Sequence, residues 1–235
     1  MLTAWLDKKF YSDYKNNWDD ELFRKEILCR IDNDFTILDL GAGSGNVDQM
    51  NFKEKASCVC GIDPDPRVQS NPYLHEGKIA TGESIPYDEE TFDLVFSDNV
   101  VEHLSDPDAV LLEVRRVLKP GGLFLAKTPN KKHYMPLIAR MTPHRFHQFV
   151  NDLRGRASED TFPTQYKMNT PQDVQYFAEK NAYFVEMLKL IEGRPEYLRM
   201  TFFTYLFGLM YERLVNRIGF LARYRILLII ALRKE

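Results

Sequence analysis

The feature that most constrains the fold is a short apolar run, ILDL at 37–40, that leads directly into the glycine-rich stretch GAGSG at 41–45. Three glycines at alternate positions make a loop with almost no side chains, and such a loop lets a ligand approach the backbone closely. A short apolar run that ends at turn residues is typical of a buried strand. The stretch therefore predicts a strand, a tight turn and a ligand site beside the backbone.

Apolar and amphipathic segments alternate along much of the chain. The pattern predicts strands over 35–40, 56–63, 73–81, 91–98 and 123–130, and helices over 18–31, 44–55 and 106–118. Strands that alternate with helices form a parallel sheet covered on both faces, and ligands bind such sheets beyond the carboxyl ends of the strands. The glycine loop follows the first strand and is therefore expected at that edge.

Two acidic residues accompany the loop in a pattern that argues against a dinucleotide. The third glycine comes one residue earlier than in a dinucleotide fingerprint. Asp39 would oppose a pyrophosphate but suits a ligand with positive charge, such as the ammonium and sulfonium of S-adenosylmethionine. Asp63 follows Gly45 by 18 residues. This is close to the ~20-residue spacing at which an acid accepts hydrogen bonds from ribose hydroxyls.

Three motifs occur in order: LDLGAGSGN, GIDPDP and GESIPYDEETFDLVFSDNVVEHLSDPDAVLLEVRRVLKPGGLFLAKTPN. Together they resemble the class I S-adenosylmethionine-dependent methyltransferases over residues 35–130, above all small-molecule enzymes of quinone biosynthesis and bacterial glycan synthesis. The resemblance implies an α/β fold, with a Rossmann-like, mostly parallel seven-stranded sheet, helices on both faces, an antiparallel terminal hairpin and an insertion after strand 5. The hairpin strands are expected at 182–193 and 224–234.

The resemblance also implies a site for S-adenosylmethionine as cofactor. Asp39 and the loop would hold the methionine part, and Asp63 would accept the ribose hydroxyls. The other implied cofactor-binding residues are Gly41, Ala42, Gly43 and Gly45 in the loop, Pro64 beside the adenine, Gly82 and Glu83 in the adenine pocket, and Ser97 and Asn99 beneath the methionine. The family often has Asp at the position of Thr81, where threonine accepts a weaker hydrogen bond from adenine.

The predicted organisation is a single methyltransferase domain over residues 1–235. Its parts are an N-terminal helical lid (1–34), the cofactor-binding core (35–130), a substrate-side insertion (131–172) and a C-terminal part (173–235) that completes the sheet and has a helical insertion near 195–222. The aromatic residues Tyr11, Tyr14 and Trp18 fit a lid over the cofactor, and they fit a surface helix equally well.

A basic segment follows the fifth predicted strand. Residues 131–156 contain six Lys or Arg against one acid, and three of the five histidines. A local excess of positive charge over the ligand edge of the sheet favours an anionic acceptor, such as a phosphate or a carboxylate. A solvated basic face explains the same pattern. No third ligand accompanies His144 and His147, so we expect no metal.

Methyl transfer to a hydroxyl needs a base, and histidine is the usual one. The candidates are His103, His133 and His144, although packing or helix capping also explains these histidines. We predict a methyltransferase that acts on a hydroxyl of a small molecule or a glycan or lipid-linked intermediate. The alternative is an S-adenosylmethionine-binding regulatory or assembly protein without transferase activity.

Net charge, cysteines and the C-terminal segment limit the partners and the location. A net charge of −3 gives no bias toward nucleic acid, and none is expected as a partner. Three cysteines without metal-ligand spacing, of which Cys58 and Cys60 would neighbour each other on one strand face, indicate reduced thiols and a cytoplasmic protein. Charged residues interrupt the apolar segment 201–232, so core helices, a membrane-surface face and a homodimer contact all remain open there.

Overall fold

The computed structural model describes residues 2–14, 17–141 and 163–235. The chain forms two compact units. The larger unit contains residues 17–128, 165–189 and 229–235. Among the described residues, the smaller unit contains 2–14, 129–141, 163–164 and 190–228.

The sheet has seven strands in the order β3-β2-β1-β4-β5-β7-β6. Its strands are β1 (Thr36–Leu40), β2 (Cys58–Asp63), β3 (Glu76–Ile79), β4 (Phe92–Asp98), β5 (Leu118–Pro129), β6 (Tyr183–Ile191) and β7 (Leu227–Lys234). The first five strands pair in parallel, and β6 and β7 form the antiparallel hairpin at the end of the sheet. The predicted fold class is confirmed.

Six helices are described. They are α1 (Leu2–Phe10), α2 (Trp18–Leu28), α3 (Pro107–Val117), α4 (Tyr134–Met141), α5 (Pro171–Lys180) and α6 (Phe202–Arg217). The helices α1 and α6 belong to the smaller unit, whereas α2, α3 and α5 belong to the larger one. Asp106 caps α3, because its side chain accepts a hydrogen bond from the Ala109 N–H at 3.2 Å.

The core of the larger unit lies on both faces of the sheet. Every residue of β1 from Ile37 to Leu40 is buried, and so is every residue of β5 from Leu123 to Thr128. A strand whose successive side chains are all buried must be covered on both faces, because these side chains point alternately to the two sides. The apolar faces of α2, α3 and α5 contribute buried residues to this unit.

The helix predicted over 44–55 is wrong. Only a short 3-10 turn, Asp48–Met50, forms there. Asn51 has extended backbone angles, and its side-chain oxygen accepts a hydrogen bond from the Lys53 N–H at 3.2 Å. Such local side-chain hydrogen bonds offer the backbone an alternative to the helix, and Asn favours them.

Strand β5 begins earlier than its pattern predicts. It starts at Leu118 and runs through Pro120, Gly121 and Gly122, which the sequence indicates as a turn. Phe92 pairs with Leu118 but Leu94 pairs with Leu123, so the extra residues form an irregularity within the strand. The strand accommodates the turn residues as a bulge, which a local pattern does not distinguish from a chain reversal.

Two further observations concern the cysteines of β2 and the character of the helices. The Sγ atoms of Cys58 and Cys60 lie 3.7 Å apart, within reach of a thiol hydrogen bond and without a disulfide, as expected for neighbours on one strand face. Within the described residues, no helix has both the length and the apolar character that crossing a membrane requires.

Candidate cofactor site

The glycine loop has a backbone that only glycine adopts without strain. Gly41, Gly43 and Gly45 have φ angles of +86°, +51° and +80°. A Cβ atom on Gly41 would lie 2.2 Å from Val100, and one on Gly45 would lie 2.5 Å from the Oδ1 atom of Asn71. A Cβ atom on Gly43 would meet nothing within 4 Å. The loop is therefore packed at its two ends and open at its centre.

Asp63 and Asn71 hold this loop in place. The Oδ2 atom of Asp63 accepts a hydrogen bond from the Gly43 N–H at 2.9 Å, and its Oδ1 atom accepts one from the Asp65 N–H at 2.8 Å. The Asn71 side chain donates to the Ala42 carbonyl at 2.9 Å. Each carboxylate oxygen has a second lone pair, so Asp63 can also accept from ribose hydroxyls. The sequence analysis missed Asn71, whose position before Pro72 indicates only a turn.

Asp39 and Ser97 supply polar groups in the interior next to the loop. Asp39 is only 6% exposed, and burial raises the pKa of its carboxyl well above the usual range, with added repulsion from Asp98 and Asp63. The Ser97 hydroxyl is buried and has no hydrogen-bond partner among the described residues. A buried carboxylate and an unsatisfied hydroxyl fit a ligand that brings a cation and polar groups of its own.

The remaining predicted cofactor residues lie after the strands of the same sheet edge. Gly82 follows β3, where a Cβ atom would lie 3.4 Å from the Leu40 side chain. Glu83 is exposed and accepts a hydrogen bond from Ser105 at 3.5 Å. Pro64 and Asn99 are also exposed, directly after β2 and β4. These residues lie at the edge where the site is predicted, and their contacts with a cofactor stay predictions.

A buried charge cluster beside the site was missed by the sequence analysis. Lys127 in β5 is 0% exposed, and its Nζ atom lies 2.8 Å from Asp98 and 3.3 Å from Asp19, and also contacts Asp20. Burial raises the pKa of Asp98 to about 6, although the charge of Lys127 opposes this shift. Because Asp98 in turn raises the pKa of Asp39, the cluster and the cofactor site influence each other electrostatically. The only sequence signal is one lysine within the apolar run LFLAKTP.

A second buried network connects the end of β5 to the loop that contains His103. The Thr128 hydroxyl donates to Glu102 at 2.7 Å and accepts from the Asn169 side chain at 2.7 Å. Burial raises the pKa of the Glu102 carboxyl. His103 follows Glu102 in a 3-10 turn and is half-buried. The network fixes the backbone beside His103, whose role as a base stays a prediction.

His133 lies in the smaller unit, buried among polar and aromatic side chains. Its Nε2 atom is 3.5 Å from Glu192, and its ring centroid is 4.0 Å from that of Tyr134 and 5.3 Å from that of Tyr211. Burial lowers the pKa of His133 to about 3 and raises that of Glu192 to about 8. A histidine with so low a pKa takes up a proton weakly at neutral pH, so this environment favours a packing role.

Other predicted residues lie outside what the structure describes. Residues 142–162, which the structure does not describe, include two of the histidines and three arginines of the basic segment: His144, His147, Arg145, Arg154 and Arg156. The side chain of Arg140 is likewise outside the described part. No group of three His, Cys, Asp or Glu that could hold a metal occurs in the described ranges.

The N-terminal segment is predicted as a lid over the cofactor or as a surface helix, and its aromatic residues are found in both units. In the smaller unit, the Tyr11 hydroxyl donates to Glu212 at 3.1 Å, and its ring stacks on Tyr205 with a centroid distance of 6.2 Å. Trp18 is buried at the start of α2 in the larger unit. Asp19 and Asp20 of the same helix contact Lys127, so the first turn of α2 lies beside the candidate cofactor site. A lid role stays a prediction.

Comparisons with known proteins bear on the family of this chain. Residues 38–126 match the family described as a methyltransferase domain. The chain is 32% identical over 133 residues to the tRNA U34 carboxymethyltransferase of Saccharophagus degradans, covering 52% of this chain and 39% of that protein. It is 35% identical over 103 residues to the ubiquinone biosynthesis O-methyltransferase of Cereibacter sphaeroides, covering 40% of this chain and 41% of that protein.

A solved structure supports the fold alone. The crystal structure of the cyclase SpnF superposes with a TM-score of 0.59 at 15% identity, covering 94% of this chain and 84% of that one. The chain matches only about two fifths of the length of the two curated relatives above, 39% and 41%.

Proposed function

We propose that this chain, which belongs to the class I S-adenosylmethionine-dependent methyltransferases, is an enzyme that methylates a hydroxyl of a small molecule or a glycan or lipid-linked intermediate. S-adenosylmethionine, when bound, supplies an activated methyl group on a sulfonium sulfur. The part of the protein is to hold this cofactor and to present an acceptor in line with the methyl group, because positioning contributes most of the rate of such a displacement.

The observation that carries the proposal is the connection of Asp63 to the glycine loop. One carboxylate oxygen of Asp63 fixes the Gly43 amide at 2.9 Å, and a Cβ atom at Gly43 would face open space. Asp63 is thereby oriented by the backbone that it supports, with lone pairs left for a pair of ribose hydroxyls. Asp39 and Ser97, buried at the neighbouring strand ends, suit the ammonium and the carboxylate of the methionine part.

The nature of the acceptor is inferred from charge. The basic segment 131–156 follows β5, and its excess of five positive charges favours an anionic acceptor. One matched relative is named an O-methyltransferase, which supports a hydroxyl. Another is named a tRNA-modifying enzyme, so RNA is the competing acceptor, but the net charge of −3 of this chain favours a small molecule. His103 is the base that we favour for such a transfer.

The alternative is a protein that binds S-adenosylmethionine without transferring its methyl group. The solved structure of SpnF has the same fold and is named a cyclase, not a methyltransferase. It supports this alternative, because a fold does not determine a reaction.

The experiment that separates these functions uses cofactor labelled in its methyl group. The purified protein is incubated in parallel with a small-molecule extract, a lipid extract and total tRNA, and the label in each fraction is counted. We expect label in the small-molecule or lipid fraction and not in tRNA. Label in tRNA alone would contradict the proposed acceptor. Cofactor binding without label in any fraction would favour the binding-only alternative.

A further inference from the structure

The helix α6 is apolar on its outer side as well as on its inner side. Its buried side includes Tyr205 and Val215. Its outer side presents five exposed apolar residues, which we term the α6 stripe: Phe203, Leu206, Phe207, Met210 and Leu214. At ~100° per residue these five side chains fall within a sector of about 100°. Phe203 and Phe207 are 74% and 64% exposed, which is unusual for large aromatic side chains so close together.

Basic residues border the α6 stripe, and no exposed acid interrupts it. Arg213 and Arg217 are exposed, and at ~100° per residue Arg213 lies just outside the sector next to Leu206, whereas Arg217 lies within it at the C-terminal end of the helix. Glu212 is the only acid between residues 197 and 234, where seven Lys or Arg occur. It is buried, and its carboxylate accepts hydrogen bonds from Tyr11 at 3.1 Å and from Asn216 at 2.7 Å, while the Nε atom of Arg213 lies 3.3 Å from one of its oxygens. With two arginines against one buried acid, α6 has a net charge of +1, and its exposed charged groups are both basic.

The helix α1 contributes residues of the same kind within the same unit. Leu6 and Tyr11 form a buried cluster with Tyr205 of α6, so the two helices pack together. Trp5 is exposed, and the Lys9 ammonium lies 4.6 Å from the centroid of its ring. The only acid of α1, Asp7, is bound to Arg199 at 2.6 Å.

We propose that the α6 stripe, together with its arginine border, binds the surface of an anionic lipid bilayer. A helix in the plane of a membrane inserts an apolar face below the headgroups and places Lys and Arg among lipid phosphates. Trp is enriched at the boundary between the headgroups and the hydrocarbon, and Trp5 lies on α1, which packs against α6. With 16 residues α6 is about 24 Å long, too short to span the ~30 Å hydrocarbon layer.

Charge distinguishes this occupant from the two others that could cover the α6 stripe. A symmetric contact with a second copy would bring Arg213 and Arg217 of both copies into one interface, where like charges oppose association. The segment 142–162, which lies outside the described residues, has three Lys or Arg and three Asp or Glu, so its charge does not complement the arginine border. An anionic bilayer complements both the apolar stripe and its border. This inference does not depend on the proposed methyl transfer.

The test is co-sedimentation of the whole protein with vesicles of phosphatidylcholine alone and with vesicles that also contain phosphatidylglycerol. We expect binding that requires phosphatidylglycerol and weakens with salt. Phe207→Asp should lower the partition coefficient about tenfold or more, because it removes a large apolar group from the membrane. A double variant, Arg213→Gln with Arg217→Gln, should lower binding to the vesicles with phosphatidylglycerol about tenfold and make the remaining binding less sensitive to salt.

The matched control is Tyr176→Asp, which replaces an aromatic residue that is 60% exposed on α5 in the larger unit. This variant should bind vesicles like the wild type, and circular dichroism should show that all variants are folded. Absence of phosphatidylglycerol-dependent binding by the wild type would overturn the proposal. An equal loss in Tyr176→Asp would also overturn it. So would a dimer in sedimentation velocity that Phe207→Asp dissociates, since the stripe would then belong to a second copy.

Discussion

Lys127 shows how much of the interior of the larger unit depends on one side chain. Its ammonium group has no contact with solvent and is surrounded by the carboxylates of Asp98, Asp19 and Asp20. Removing one partner of a buried ion pair leaves an uncompensated charge, which costs far more than losing an exposed pair. The cluster therefore connects β4, β5 and α2, and removing its lysine leaves the carboxylates without a compensating charge.

We predict that Lys127→Met lowers the free energy of unfolding by about 3 kcal/mol or more. The matched control is Lys119→Met in the same strand, where the ammonium is partly exposed and lies 2.8 Å from Asp93. This control should cost about 1 kcal/mol or less. Urea unfolding at neutral pH measures both. Equal costs for the two variants would contradict the account of the cluster, and adding Asp98→Asn to Lys127→Met should recover part of the loss.

Asp98 gives the stability a pH dependence of defined sign. Its pKa in the folded protein, about 6, lies above the ordinary value of 3.8, and burial is the main cause. The folded state therefore holds this proton more tightly than the unfolded chain, so the stability contributed by Asp98 is full below about pH 4 and falls as the pH rises to about 6. In Asp98→Asn the change in unfolding free energy between about pH 4 and about pH 7 should differ from that of the wild type by up to about 3 kcal/mol.

Urea unfolding of both proteins across that pH range is the measurement. Other titrating groups are common to both proteins, so the difference isolates the position of Asp98 and its effect on Lys127. Parallel pH profiles would show that the carboxyl of Asp98 titrates at its ordinary value.

The glycine loop between β1 and β2 is the element on which we expect cofactor binding to depend. Gly43 and Gly121 both have positive φ angles, +51° and +74°, and a Cβ atom on either would meet nothing within 4 Å. Alanine should therefore strain the backbone at both positions, by about 1–2 kcal/mol. Only Gly43 faces the predicted cofactor.

We predict that Gly43→Ala weakens binding of S-adenosylhomocysteine about tenfold or more, because the added methyl group occupies space that the ligand needs. Gly121→Ala should bind like the wild type with a similar loss of stability. Calorimetry and thermal unfolding of the two variants separate the effect on the site from the effect on the backbone. Unchanged affinity in Gly43→Ala would place the ligand away from the loop.

Elements with strong local signals were predictable from the sequence, and elements that depend on long-range packing were not. Apolar runs bounded by Gly and Pro located β1, β2 and β4, and the resemblance to a family located the hairpin of β6 and β7. The helix at 44–55 failed because Asn51 prefers its own side-chain hydrogen bond. The outer face of α6 could not be identified, since apolar residues occur on both sides of the helix and only packing decides which side is buried.

At the scale of the whole molecule, sites formed by neighbouring strand ends could be predicted, and contacts between distant parts of the chain could not. Asp39, Gly43 and Asp63 could be predicted as one site because the carboxyl ends of parallel strands share an edge. Lys127 could not, because its partners Asp19 and Asp20 come from a helix more than a hundred residues away in the chain. Charged residues whose partners are distant in the chain leave no periodic signal. The sequence analysis therefore located the glycine loop but not the charge cluster of Lys127.

The central claim, that Asp63 and the glycine loop form an S-adenosylmethionine site, is tested most directly by titration calorimetry with S-adenosylhomocysteine. The account predicts measurable binding by the wild type and at least ~10-fold weaker binding by Asp63→Ala, because a charge-assisted hydrogen bond to a ribose hydroxyl contributes ~1.5–3 kcal/mol. Glu54→Ala, which removes an exposed acid between β1 and β2, should bind like the wild type. No binding by the wild type, or equal binding by Asp63→Ala, would contradict the account.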